Sequence, residues 1–278
     1  MHGNISKASG KIEEFDRQKL FNSLISSGAS SAIAEDIVQK IFSEIRHGAS
    51  TKDIYRMTRK YLGKYDSVSG MRYSIKKAIY DLGPSGYPFE RYIARILRTF
   101  DFEVEIGKII SGYCIKHEVD IVAKRNEECY LVECKFHQKE GVASDVKVAL
   151  YLYSRFSDIK KAAEHPSGHQ CAVEQGWLIT NTRFSSDAIK FANCVGLLVT
   201  GWKYPKHGSL EKMIEDKKVY PVTVLPAVNR RILDVFIKNN LVLASDITLK
   251  GIEDLMTITH LDSETVSRIK MQATTLCL

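Results

Sequence analysis

The fold class this sequence predicts is α/β: a mixed β-sheet flanked by helices, preceded by a mostly helical N-terminal domain and followed by a small C-terminal helical module. Three observations predict it. HEVDIVAKRNEECYLVECKFH, residues 117–137, reads as two strand-like runs around a turn at Asn126 and Glu127. GWLITNT, SSDAIKFANCVG and LLVTGW follow as strand, helix, strand, the signature of a crossover unit. The flanking regions instead carry apolar residues at helical spacing between capping signals.

The elements follow in order. KASGKIEEFD offers a Ser9–Gly10 turn between two short extended pieces. Asp16 suits the N-cap of a helix through RQKLFNSLISS, whose Leu20, Phe21, Leu24 and Ile25 share one face. GASSAIAEDIVQKI and GASTKDIYRMTRKYL each begin with a glycine that can close one helix and a serine that can cap the next. Ser50 with Asp53 fits a capping box. A helix through MRYSIKKAIYDL ends at LGPSGYP, a breaker that sets the first boundary. The second segment opens with the amphipathic helix YPFERYIARILRTF, its Pro88 in the first turn. Strand-like FEVEIG, the charged hairpin, a helix over 142–164 and the crossover unit complete it. VNRRILDVFIKN, IEDLMTI and SETVSRIKMQATTL form the helical third segment. The expected domains are therefore 1–84, 85–225 and 226–278.

Composition narrows the class. With 278 residues, 44% hydrophobic and 26% charged, the chain can build a proper core. It has no apolar run near the roughly 20 residues needed to span a bilayer, and MHGNISKASGK lacks a secretory signal, so a cytoplasmic protein without a membrane role is expected. The cysteines contain no CxxC pair, which argues against a zinc ribbon and fits reduced, mostly buried thiols. HPSGHQC, 165–171, holds two histidines and a cysteine, but its spacing matches no common metal site and favours a polar loop. The net charge of +7, concentrated in 1–84, is compatible with a polyanionic partner.

The hairpin carries the chemistry. In an antiparallel pair turning at Asn126, opposed residues have numbers summing to 253, so Asp120 is expected opposite Glu133, Glu118 opposite Lys135 and Val122 opposite Leu131. Glu133, Lys135 and His137 then share a face with Asp120, while Val119, Ile121, Val132 and Phe136 take the other. Carboxylates about 5 Å apart repel each other unless one is protonated or a cation lies between them. A divalent cation with hard oxygen ligands is the natural partner. The competing reading is a solvated face whose charges pair, Glu118 with Lys135 for example.

These residues resemble the D…(D/E)XK signature of restriction-endonuclease-like nucleases. GYPFERYIARIL…HEVDIVA…YLVECK is similar to their Mrr-type branch over about 85–225. The resemblance implies a DNA-cleaving enzyme that uses Mg2+ or Mn2+ and often pairs into a homo-oligomer. It implies Asp120, Glu133 and the Cys134 carbonyl as metal ligands, Lys135 as the catalytic lysine and Glu90 as an added acid. Glu90 also borders the Phe89, Ile93, Leu97, Phe100 stripe, facing the sheet. His137 and Gln138 are weaker additions.

The N-terminal phrases KASGKIEEFDRQKL, GASTKDI and MRYSIKKAI resemble the ATP-cone of ribonucleotide reductases. That resemblance implies an ATP or dATP site using Lys7, Glu13, Asp16 and Lys19 from the hairpin and first helix, Thr51 and Tyr55 from the third helix, and Lys76 from the last. Lys7 is followed by Ala8 where cones often carry a second basic residue. The alternative is a helical DNA-binding head. EDLMTITHLDSETVSRI faintly resembles a helix-hairpin-helix, with His260 and Asp262 where glycines belong. Two readings stay open beside the regulated endonuclease: a non-catalytic nucleotide sensor that binds DNA, and cleavage of RNA or branched DNA.

Overall fold

A computed structural model describes residues 4–6, 12–45, 48–163 and 173–278. The three expected segments gather into two compact units, Met1–Ala78 with Val222–Val235 and Ala244–Leu278, and Ile79–Pro221 with Phe236–Leu243.

In the first unit, strands β1 (Asn4–Ser6) and β2 (Ile12–Glu14) pair antiparallel, Ile5 opposite Glu13. The turn expected between them, with Lys7, lies outside the described residues. Helices α1 (Arg17–Ser26), α2 (Ser31–Glu44) and α3 (Thr51–Tyr65) follow. Their starts are those the sequence encodes. Asp16 accepts from the Lys19 N–H at 2.8 Å, Ser30 accepts from Ile33, and Ser50 with Asp53 forms a complete capping box. Gly28 holds φ of +98° just past the end of α1, the left-handed conformation that glycine adopts readily, whereas α2 ends at an extended Ile45 and Gly48, at φ +82°, donates to the Asn4 carbonyl at 2.8 Å. Leu20, Leu24, Ile37, Ile41, Ile54 and Leu62 pack into one core. Each fully buried aliphatic side chain there contributes about 1.5–3 kcal/mol.

The expected single helix through MRYSIKKAIYDL is two, α4 (Ser67–Tyr73) and α5 (Ile75–Tyr80). Between them the Ser74 hydroxyl bonds back to the Gly70 carbonyl at 2.9 Å and its N–H to Met71, tightening the turn and breaking the ladder.

In the second unit, α6 (Tyr87–Arg98) leads into β3 (Glu103–Ser111), β4 (Lys116–Arg125) and β5 (Glu128–Lys135). Then come β6 (Ala143–Ser144), α7 (Val146–Ala163), β7 (Val173–Thr180), β8 (Arg183–Phe184), α8 (Ser186–Val195), β9 (Leu198–Thr200) and α9 (Leu210–Lys217). The sheet order is β3-β4-β5-β7-β9: antiparallel through the hairpin, then parallel from β5 to β7 and from β7 to β9. Helices α7 and α8 make those two crossovers, as parallel neighbours require. This is a central mixed sheet flanked by helices.

After a 3-10 turn at Val222–Val224, the chain forms α10 (Arg230–Lys238), α11 (Ala244–Thr248), α12 (Ile252–Thr259) and α13 (Ser263–Cys277). His260 takes the left-handed conformation at φ +55°, and Asp262 caps α13 by accepting from Thr265 at 2.8 Å. The segment's acid is thus engaged in holding a helix start. Among the described cysteines, Cys129 and Cys134 are buried, but Cys114 and Cys194 are exposed, against the expectation of mostly buried thiols. Among the described residues, no helix is long and apolar enough to cross a membrane. The HPSGHQC stretch lies outside the described residues.

Candidate active site

The hairpin register is the expected one over its paired length: Ile121 faces Val132, Val122 faces Leu131, and Arg125 faces Glu128. Asn126 makes the turn with φ +57°, a conformation asparagine tolerates well. The ladder then stops at Ile121. Asp120 has no Cα partner in β5, so the expected Asp120–Glu133 and Glu118–Lys135 pairings do not form as ladder pairs. On the other side, pairing with β3 runs Ile106 to Ile121 and resumes at Lys108 to Val119, skipping Gly107 and Asp120. Gly107 sits at φ +64°, which a side chain would resist.

This interruption resets the alternation of side chains. Val119 joins Val122 and Leu131 in one apolar cluster with Phe156 and Ile159 of α7, not the face of Ile121 and Val132 expected from strict period two. Released from the ladder, the Asp120 carboxylate accepts the Cys134 N–H at 2.8 Å. One of its oxygens is thereby fixed against β5 while the acid stays beside Glu133.

The structure brings Glu90, Asp120, Glu133 and Lys135 together. Burial is the main cause of raised carboxyl pKa values at all three acids. At Glu133 it is followed by repulsion from Asp120, and at Glu90 by repulsion from Asp120 and Glu133. Glu90, half-buried in the first turn of α6, is pushed to about 7. The Cys134 N–H and the Arg155 charge offset part of the rise at Asp120, and Arg155 and Lys135 offset part at Glu133. Asp120 thus raises Glu133, and both raise Glu90, the pattern of a site where acids outnumber the cations beside them. Cys134 is fully buried and its thiol is pushed well up. Phe136 packs on Phe89 at 5.5 Å between ring centroids, tying α6 to the end of β5.

Four further residues frame the site, and none of them stands out from the sequence alone. Arg155 of α7 donates to Glu133 at 2.6 Å. Thr180 donates to the Lys135 carbonyl at 2.7 Å. Buried Asn181 brackets His137, accepting from its N–H and donating to its carbonyl, each at 2.8 Å. Ser144 meets the His137 ring at 2.9 Å, and burial followed by Lys135 lowers the histidine's pKa. The available clue was TNT, residues 180–182, polar residues that are buried where an apolar parallel strand ends.

The expected nucleotide residues fall in the first unit. Ser6 bridges Ser50, and the Ser6 N–H donates to Ala49 at 3.0 Å, which places β1 beside the start of α3 and Thr51. Tyr55 lies one turn along α3, stacked on Tyr73 at 5.6 Å, and its buried hydroxyl has no hydrogen-bond partner among the described residues. Glu13 lies in β2, while Asp16 is committed to capping α1 and Lys19 is exposed in its first turn. Lys76 is exposed on α5.

Comparison with known proteins agrees with the second unit. Residues 83–199 match the family described as restriction endonuclease. An uncharacterized protein of Archaeoglobus fulgidus is 38% identical over 166 residues, covering 60% of this chain and 89% of that one. Residues 83–199 thus form a restriction endonuclease-like domain. A crystal structure of a protein of unknown function is similar to this chain at TM-score 0.60 and 34% identity, over 69% of this chain and 98% of the other. The hairpin, the α6 acid and β7 all lie within the matched segment, which ends inside β9.

Proposed function

We propose that the second unit is a divalent-metal-dependent DNA endonuclease that hydrolyses phosphodiester bonds, and that ATP or dATP bound to the N-terminal unit regulates it. The observation that carries the first half is the half-buried Asp120–Glu133 pair with Lys135 beside it, in a domain of the restriction endonuclease family.

The donor chemistry fits Mg2+ or Mn2+. Both acids supply hard oxygens, and their mutual repulsion is relieved by a cation. Among the described residues, no group of three or more His, Cys, Asp or Glu side chains can enclose an ion. That suits magnesium, which typically uses one or two carboxylates with water and phosphate oxygens. Asp120, Glu133 and the Cys134 carbonyl would hold it, and when bound it would activate water and neutralise phosphate charge. The chain's own residues do the rest. The Cys134 N–H keeps Asp120 oriented, Lys135 supplies positive charge to the developing transition state, and Glu90, with its raised pKa, can hold a proton near neutral pH. Thr180 and Asn181 hold the strand end that carries Lys135 and His137.

For the nucleotide, the support is the adjacency of β1 to the start of α3 and the unpartnered Tyr55 hydroxyl, with Lys19 and Lys76 as phosphate partners and Lys7, Glu13, Asp16 and Thr51 completing the set. DNA is the proposed substrate, and pairing into a homo-oligomer would let two sites cut two strands.

Plasmid incubated with Mg2+ tests the reading, comparing wild type with Asp120→Ala and Lys135→Ala, each with and without ATP. Wild type is expected to cleave, both variants to fall by about 100-fold or more, and ATP to change the wild-type rate. Equal cleavage by all three proteins would overturn the site, and an ATP-independent rate would overturn the regulation.

A further inference from the structure

Arg155 is a charged side chain whose position is not explained by packing. It projects from α7 to Glu133 at 2.6 Å, with only 11% of its side chain exposed, and its guanidinium lies 5.2 Å from the Tyr151 ring centroid one turn earlier. Its charge also acts on Asp120. Guanidinium has five N–H donors in a planar fork. A single one is engaged, by Glu133, and among the described residues the others form no hydrogen bond. Such a fork matches two oxygens of a phosphate.

Charge balance gives this arrangement a purpose. Asp120 and Glu133 are offset by Lys135 and Arg155, which leaves Glu90 as the acid in excess. Hydrolysis of a phosphodiester adds a divalent cation and a transition state approaching two negative charges, which also match. Without Arg155 the loaded site would carry an excess negative charge at the moment of reaction.

We propose that Arg155 is a catalytic residue that donates to a non-bridging oxygen of the scissile phosphate, with Glu133 and Tyr151 presenting its guanidinium. The proposal rests on the nuclease reading above and adds a substrate contact from α7, outside the hairpin.

A structural buttress and a phosphate ligand predict opposite effects on metal binding. Removing a positive charge beside the carboxylates should leave binding of Mn2+ to the DNA-free protein as tight as in wild type, or tighter. The same change should lower kcat with little effect on KM. The full chain carrying Arg155→Ala is therefore titrated with Mn2+ by calorimetry and assayed on plasmid, with Arg155→Lys and Asp120→Ala beside it. The expected result is retained Mn2+ binding, a loss of kcat of about 100-fold, and partial recovery when guanidinium is added at millimolar concentration. Arg155→Lys should keep part of the rate. Loss of Mn2+ binding together with cleavage would make Arg155 a positioning residue and overturn the proposal, as would an unchanged kcat. If wild type itself fails to cleave, or cleaves no better than Asp120→Ala, the nuclease reading falls and this inference falls with it.

Discussion

Two carboxylates join helix α7 to the sheet neighbourhood, and they live in opposite circumstances. Asp158 meets the His117 ring at 2.8 Å and the Cys114 N–H at 2.9 Å, and a longer contact from Ile115 completes its shell. These donors, His117 first, hold its carboxyl down to about 2. Glu133, on β5 facing Arg155 of the same helix, has one arginine, and burial and Asp120 push its carboxyl up. The first acid is satisfied and closes a loop. The second is held in repulsive company, which a structure tolerates at a place where a ligand or substrate supplies the missing charge.

The sharpest way to break this comparison is to neutralise an acid in each place. Asp120→Asn should cut plasmid cleavage by about 100-fold or more while leaving the melting temperature unchanged or raised, because a repulsion is removed. Asp158→Asn should do the reverse, lowering the melting temperature while leaving kcat within about threefold of wild type, since Asp158 has no place in the proposed chemistry. A calorimetric melt and a plasmid assay on the same preparations decide it. Equal losses of activity would show that the two acids serve one site.

An intermediate effect is expected at Asn181, which brackets His137 through both backbone groups. Asn181→Ala leaves a strand end with unmet donors and acceptors, at a cost of about 1–3 kcal/mol. Cleavage should fall by about tenfold as Lys135 loses its fixed position. Thermal melts with rate measurements at saturating DNA would check both, and a normal rate in a destabilised protein would confine Asn181 to stability.

The smallest effect is the dependence of stability on pH. Glu90, pushed up to about 7, binds its proton more tightly when folded, so its contribution is fully present below the ordinary glutamate range and is lost as pH rises through 7. Asp158, held down to about 2, contributes above the ordinary aspartate range and loses that contribution as pH falls towards 2. In metal-free buffer, Glu90→Gln should therefore melt higher than wild type at pH 8 and converge with it near pH 4.5. A constant offset across that range would place Glu90 away from the other two acids.

The parts of this molecule that are legible in its sequence are those set by neighbours in the chain. Asp16, Ser30 and the Ser50–Asp53 box cap helices within three residues of themselves, and Asn126 sets a hairpin register that strict alternation then propagates. The crossovers follow from strand and helix periods in turn. What sequence reading missed is set by residues far away in the chain. The β3–β4 ladder skips Asp120 where Gly107, on another strand, adopts a left-handed conformation. Arg155 looks like any basic residue on a helix until α7 is laid across β5, and Ser74 divides a helix that its apolar spacing would have continued.

The bond from the Cys134 N–H to Asp120 has a consequence for how this pocket could change over time. Because the backbone itself grips the acid, its side chain has surrendered its rotational freedom in advance, and only a residue of that length can reach both the amide and the cavity. Glutamate, one methylene longer, keeps the charge but overshoots the grip, and asparagine keeps the grip but loses the charge, so at this position selection would act on length and acidity together.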